Sequence, residues 1–437
     1  MKLNWLKKIL IILISLVFLI ILTLFFIKKI FFNNLSYAEI KSNYQYLRIN
    51  SEKISLKNIK NDFNFKFLPE TQSINIDYNK IKIILPKEKI TLVNGKEGMS
   101  TLDPTYHLDQ FQKNIILANY YGKIYYFENE KILTNNNKSI NAKKIQSNLK
   151  VKKLLNIKIY NEKIYVSFIK DKNNCETFNI MVADFNLEEL NFKNFYHLEE
   201  CASAIQAGKM VIFKHQGLEG LLFSTSNQMS DDTGEDLYTD RIKNKNFPPQ
   251  SDKMLFGKIL FIDFDNKNLT VFSKGHRNIQ GLFVENDVII STEHGPKGGD
   301  EINKIEFGKN YGWPIASYGE KYATYNSSKN YYAKNHSSYG FEEPIFSYVP
   351  SIAISEIMKL PNQFSPNFEN NYLITSLAAL ELRRIKFDEK FSKILFDERI
   401  YVGERIRDIE FVDELNVILL AFDFNGTIGI LKKSLED

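Results

Sequence analysis

Residues 271–314 read VFSKGHRNIQGLFVENDVIISTEHGPKGGDEINKIEFGKNYGWP, and this stretch decides how the rest of the chain is read. Three turn-rich clusters, at 275–281, 293–303 and 308–314, surround the apolar strand pattern at 282–290. Glycines gathered in this way mark backbone that turns left-handed or comes close to another group. One loop carries Arg277, Asn278 and Gln280, and the next carries Asp300 and Glu301. A cation, amides and paired carboxylates on consecutive loops of a strand-rich scaffold suit a polar ligand or a hard metal ion. Ordinary solvated turns are the competing reading of the pattern alone.

Outward from this stretch, short strand patterns dominate in both directions. Residues 73–84 alternate, 114–127 read as a hairpin around Tyr121-Gly122, and 157–169 read as another with Asn161-Glu162 at its turn. Pairs follow at 209–213 with 221–224, 258–264 with 269–272, and 282–284 with 288–291. Near the end come 372–376 with 382–387, 409–412 with 417–422, and a last strand at 427–431. Strand clusters that keep returning without helical periods between them point to a radial β array, with a large sandwich as the alternative on strand number alone. Residues 315–345, rich in Tyr, Ser and Asn, form a long loop expected over the same face as the motif.

Aromatic residues make up 14% of the 437, mostly Phe and Tyr, which suits sheets better than helical bundles. The net charge of +5 is spread along the chain rather than gathered in a basic stripe, so nucleic-acid binding has no support. Residues 9–27 form an uninterrupted apolar run with Lys7-Lys8 before it and Lys28-Lys29 after it, long enough to cross a hydrocarbon core of roughly 30 Å as a helix. A cleavable signal peptide ending at Ala38 is the competing reading, but bulky and charged residues separate the run from that site. The expected organisation is a membrane anchor over 1–30, a polar tether over 31–65 and one β domain over 66–435. A short basic tail places that tail in the cytoplasm and the domain on the periplasmic side of the inner membrane. Cys175 and Cys201 either pair, closing a loop of about 25 residues worth roughly 3 kcal/mol, or stand as two buried thiols.

The motif resembles the glucose/sorbosone dehydrogenase family, whose members are six-bladed β-propellers that use pyrroloquinoline quinone (PQQ). The residues that carry the resemblance are Gly275-His276-Arg277-Asn278 with Gln280-Gly281-Leu282, then Glu293-His294-Gly295-Pro296, Gly299-Asp300-Glu301-Ile302-Asn303 and Gly308-Lys309-Asn310-Tyr311-Gly312-Trp313-Pro314. The resemblance implies an all-β propeller that oxidises an aldose hydroxyl, with PQQ and calcium as cofactors and a sugar as partner. Arg277 and Asn278 match the pair that polarises the quinone oxygens, and Gln280 matches a further contact. Arg405 and Arg407, in Glu404-Arg405-Ile406-Arg407-Asp408, match arginines that grip PQQ carboxylates. Gly295 and Pro296 match carbonyl ligands of one calcium ion; Glu301, Tyr311 and Tyr322 match a second, structural site.

Three positions depart from the family pattern. The histidine base falls at Ile205, the family lysine at Ala378 and a family tryptophan at Val349. Isoleucine accepts no proton, and loss of a general base costs about 10² to 10⁴ in rate. The alternative to an active dehydrogenase is therefore a lapsed propeller that binds a sugar, glycan or protein without oxidising it.

Overall fold

The computed structural model describes residues 76–84, 107–112, 114–120, 122–128, 139–151, 153–172, 175–200, 207–227, 247–320, 332–365, 368–423 and 427–433. The 9–27 run, Cys201, Ile205 and Tyr322 lie outside them. No described helix is long and apolar enough to cross a membrane. Cys175 is disulfide-bonded.

Among the described residues six sheets of four or five strands, antiparallel except where Ile76–Ile84 runs parallel to Ser139–Asn141, each contribute one strand to a closed ring. These inner strands are His107–Phe111, Lys153–Tyr160, Met210–His215, Ile279–Glu285, Ile354–Lys359 and Ile406–Val412, belonging to blades 1 to 6. Each touches the next, and the sixth returns to the first. A sandwich makes no such cycle, so the architecture is a six-bladed propeller. The ring is fastened by Ile76–Ile84, which pairs antiparallel with Thr427–Lys433 and becomes the fourth strand of blade 6. The alternation at 73–84 thus belongs to a strand that closes the molecule rather than to a first blade.

The core is distributed. Six apolar clusters occur among the described residues, and each fills the seam between two neighbouring blades. Leu108, Ile116, Leu419 and Ala421, for example, join blades 1 and 6. Phe213, Phe261, Leu282 and Tyr311 join blades 3 and 4. A strand in the middle of a blade is covered on both faces, so it reads as a continuous apolar run. Lys258–Asp263 and Val417–Phe422 are buried at every residue for that reason.

The hairpin turns follow local chemistry. Asn161 and Glu162 both have positive φ, as do Asn286 and Asp287, which is the two-residue geometry that matches strand twist. Every strand pair read from the sequence is present as an antiparallel pair. The sequence pattern does not mark Cys175–Asp184, Ile354–Lys359 and Ile394–Tyr401, whose polar residues interrupt the apolar alternation.

Candidate functional site

The turn 275–278 runs from the outer strand of blade 3 into the inner strand of blade 4, and one carboxylate holds it. Glu293 accepts the main-chain N–H of Arg277 and of Asn278, and its other oxygen lies 3.1 Å from His276 Nδ1. The other ring nitrogen of His276 is 2.8 Å from Ser273 Oγ, and the ring stacks on Tyr311. With both nitrogens engaged and no exposed surface, His276 is a structural pin. Glycine is required where the loops meet: a side chain on Gly299, at φ +72°, would strike the backbone of Gly319. The described start of the long loop, 315–320, therefore does pack on the motif, with reciprocal hydrogen bonds between Lys297 and Glu320.

From this frame Arg277 donates to the His294 carbonyl at 3.1 Å, and its guanidinium lies 5.3 Å from the Trp313 ring. Asn278 Oδ1 accepts from Gln280 Nε2 at 2.7 Å. Gln280 Oε1 in turn accepts from Arg407 Nη1 at 2.8 Å, joining blade 4 to blade 6 across 127 residues of sequence. Arg407 is held from behind by Asp423 at 2.8 Å, and Arg405 donates to the Leu377 carbonyl at 3.2 Å. Asn278, Gln280 and Arg407 are thus joined by hydrogen bonds, with Arg277 beside Asn278 in the chain and Arg405 two residues before Arg407.

His294 reports the charge at that site. Its imidazole is pushed down to about 3 by burial, then by Arg407 and Arg277 and, more weakly, Arg405, against a hydrogen bond to Ile354. The ring is therefore neutral at physiological pH, and its buried Nε2 has no hydrogen-bond partner among the described residues. Arginines whose charge is felt at one buried ring would suit a ligand that brings carboxylates.

Gly295, Glu301 and Tyr311 line a cavity of about 10 Å³ together with Arg277, Glu293 and Trp313. Burial and then Glu293 raise the Glu301 carboxyl well above its usual range. A hard cation would relieve that cost. The Tyr311 phenol is already engaged, donating to Lys304 O at 2.6 Å and accepting from Glu306 N at 2.9 Å. Among the described residues no three His, Cys, Asp or Glu side chains are grouped to hold a metal. Asp300 instead ties the loop to blade 5, accepting from Gly295 N, Ser351 Oγ and Ile354 N.

Residues 112–429 match the sequence model of the glucose/sorbosone dehydrogenase family. The chain belongs to that family. Aldose sugar dehydrogenase YliI of Escherichia coli K12 is 28% identical over 238 residues, 54% of this chain and 62% of that protein. An uncharacterized protein of Synechocystis, slr1608, is 32% identical over 160 residues, 36% of this chain and 38% of that one. The matches span between 38% and 62% of the lengths of these curated relatives. The PQQ-bound aldose sugar dehydrogenase of Streptomyces coelicolor has the same fold, with TM-score 0.53 at 17% identity over 83% of this chain and 99% of that one.

Inside the ring, this glucose/sorbosone dehydrogenase-family propeller carries charges that the motif did not announce. Lys209 pairs with Glu356 and stands 3.7 Å from Asp408 Oδ1, while His107 Nδ1 lies 3.3 Å from Asp408 Oδ2. Nearby, Asp109 accepts from Lys158 Nζ at 3.3 Å and from Ile159 N at 2.6 Å, and Glu410 accepts from Gln110 Nε2 at 2.7 Å. Lys209 opens a strand pattern and Asp408 closes the arginine motif, but nothing in the sequence pairs them. The strand ISEIMK mixes apolar and polar residues, so its acidic side chain carried no signal of its place.

Burial, with Asp109 beside it, pushes the Glu410 carboxyl up to about 8 despite Lys158. A carboxyl raised above its unfolded value of 4.5 stabilises the fold fully below that value and loses the contribution as pH climbs through about 8. Glu410→Gln is therefore expected to flatten the fall in melting temperature between pH 5 and 9, with its largest gain over the parent at pH 9. Parallel melting curves across that range check it; an unchanged slope would show that the carboxyl is ionised throughout.

Proposed function

We propose that this protein is a PQQ-dependent sugar dehydrogenase that oxidises an aldose hydroxyl in the opening at its propeller axis. The observation that carries the reading is the junction at which Gln280 joins Asn278 to Arg407, beside Arg277 on the His294 carbonyl. Family membership and the PQQ bound by a relative of the same fold support it. When bound, PQQ supplies a two-electron acceptor for the hydride of the sugar carbon. Arg405 and Arg407 would hold its carboxylates, while Arg277, Asn278 and Gln280 would orient its quinone edge. Preorganisation is what this chain contributes: Glu293 fixes the Arg277 turn and Asp423 fixes Arg407, so little reorganisation remains at the moment of charge transfer.

Calcium completes the proposal: the Gly295 and Pro296 carbonyls would hold one ion, and Glu301 with Tyr311 and Tyr322 would hold a second, each supplying positive charge and stiffening the loops. The 9–27 run anchors the chain in the inner membrane, with the propeller in the periplasm. A second reading, a propeller that binds sugar without oxidising it, draws support from Ala378 and Val349, the latter 43% exposed where the family packs a tryptophan.

The deciding experiment takes the purified full-length chain in detergent, adds calcium and PQQ, and follows absorbance, melting temperature and dye reduction with a panel of aldoses. The dehydrogenase reading expects a tight PQQ complex, a calcium-dependent rise in melting temperature and turnover. Binding with no turnover on any sugar favours the lapsed propeller, and no PQQ binding removes the cofactor.

A further inference from the structure

We infer that Lys258 is a positioning residue for Arg277: its amine clasps the loop at 247–257, and that loop fixes the turn that aims the guanidinium. The inference rests on the dehydrogenase reading, in which Arg277 orients the quinone edge of PQQ, and adds a residue that lies outside the sequence motif.

Lys258 opens the strand Lys258–Asp263 of blade 3 and is 1% exposed. A lysine is almost never buried so fully without partners, and here the partners are main-chain oxygens. The amine donates to the Pro248 carbonyl, to that of Pro249 at 3.0 Å and to that of Phe256 at 3.2 Å. These carbonyls come from the two ends of one loop, so a single side chain holds the loop closed. Burial and then Lys274, opposed by Glu200 and Asp252, push the amine down to about 7. Charged or neutral, it keeps at least two N–H donors for the carbonyls.

The clasped loop bears directly on the Arg277 turn. The Pro249 carbonyl also accepts from Gly275 N at 2.9 Å, and the carbonyl of Gly257, which precedes Lys258, accepts from His276 N at 3.1 Å. Gly275 and His276 are the two residues before Arg277. A second route runs through Gln250, which follows Pro249. Its amide donates to the Trp313 carbonyl at 2.7 Å and exchanges hydrogen bonds with the Asn310 side chain at 3.1 and 2.7 Å. Trp313 N donates to the Gly275 carbonyl at 2.9 Å, and the Trp313 ring lies 5.3 Å from the Arg277 guanidinium. The junction is tight. A Cβ on Gly257 would come within 2.6 Å of the Pro249 ring, and one on Gly275 within 2.2 Å of Asn310 Oδ1. Close packing of this kind passes a shift of the loop on to the turn rather than absorbing it. Glu293 holds the main chain of Arg277 and Asn278, and Lys258 holds the two residues before them.

The test uses the full-length chain in detergent with Trp5→Phe, which leaves Trp313 as its one tryptophan. Lys258→Met keeps the apolar stem and removes the amine, and Gln250→Leu leaves the clasp but cuts its link to Trp313. In Lys258→Met the emission of Trp313, 5% exposed in the parent, is expected to move to longer wavelength. PQQ affinity is expected to fall about ten-fold, and about two-fold or less when Arg277→Ala is already present, because the effect passes through that guanidinium. Gln250→Leu should give a smaller emission shift and a smaller loss of affinity. A lysine with a merely structural role would lower the melting temperature and leave emission and affinity unchanged, and that result overturns the inference. Fully additive losses with Arg277→Ala overturn it too. Should Lys258→Met fail to fold, Gln250→Leu decides, and an unmoved emission and affinity there overturn the inference. A parent that binds no PQQ removes the dehydrogenase reading, while Trp313 emission still decides whether Lys258 holds the turn.

Discussion

Lys209→Met is expected to cost about 3–5 kcal/mol of folding stability, the usual result of stripping one partner from a buried ion pair. Lys209 is 13% exposed and lies between Glu356 and Asp408, exposed by 5% and 3%. Burial alone would lower its ammonium pKa, yet the two carboxylates override that and raise it. Replacing the ammonium by a thioether of similar length leaves two buried carboxylates facing each other with only the neutral His107 nearby. Those carboxylates come from blades 5 and 6, so the repulsion falls on the seam that the inner ring must keep closed. A denaturant titration reads the loss directly. The double variant Lys209→Met/Glu356→Met should be less destabilised than Lys209→Met alone, because the uncompensated charge is gone. A loss below about 1 kcal/mol for the single variant would mean that water reaches the cluster and screens it.

Arg405→Ala is expected to weaken PQQ binding about ten- to a hundred-fold, from one charge-assisted hydrogen bond worth about 1.5–3 kcal/mol. Arg405 suits this measurement better than its neighbour. Arg407 neutralises the buried Asp423, so removing it would confound affinity with folding. Losing the hydrogen bond from Arg405 to the Leu377 carbonyl costs far less than a stranded charge. Equilibrium titration followed by absorbance, with melting temperature as the control, separates the two effects. An unchanged affinity would place the cofactor carboxylates away from blade 6. The same variant should raise the low pKa of His294 slightly, since Arg405 is the smallest of the three cationic contributions to it.

Much of the fold was legible along the chain because blades are local objects. A hairpin such as Lys153–Tyr160 with Lys163–Lys172 is specified by its own alternation and by the Asn161-Glu162 turn, so reading it needs no distant partner. Blade number was harder, because Ile76–Ile84 pairs with the last strand of the chain and its pattern does not say so. The site divided in the same way. Arg277, Asn278 and Gln280 sit within four residues of each other and were legible as a motif. The junction of Gln280 with Arg407 bridges 127 residues and waited for coordinates. Glu356 gave no signal because an acidic residue in a strand normally marks an exposed face, and here that face is the lining of a closed ring.

By itself the sequence determined that this chain is built from repeated antiparallel strands and carries the loop chemistry of the glucose/sorbosone dehydrogenases, because turns, alternation and contiguous motifs depend on near neighbours. Only the tertiary structure decided which charges share the axis, since six inner strands contribute to it from positions some 300 residues apart, as in the contact of His107 with Asp408. In that ring burial is overridden at Asp408, which Lys209 and His107 hold near 2, and prevails at Glu356, raised to about 7, a separation of two carboxyls of ordinary intrinsic strength that no linear pattern encodes.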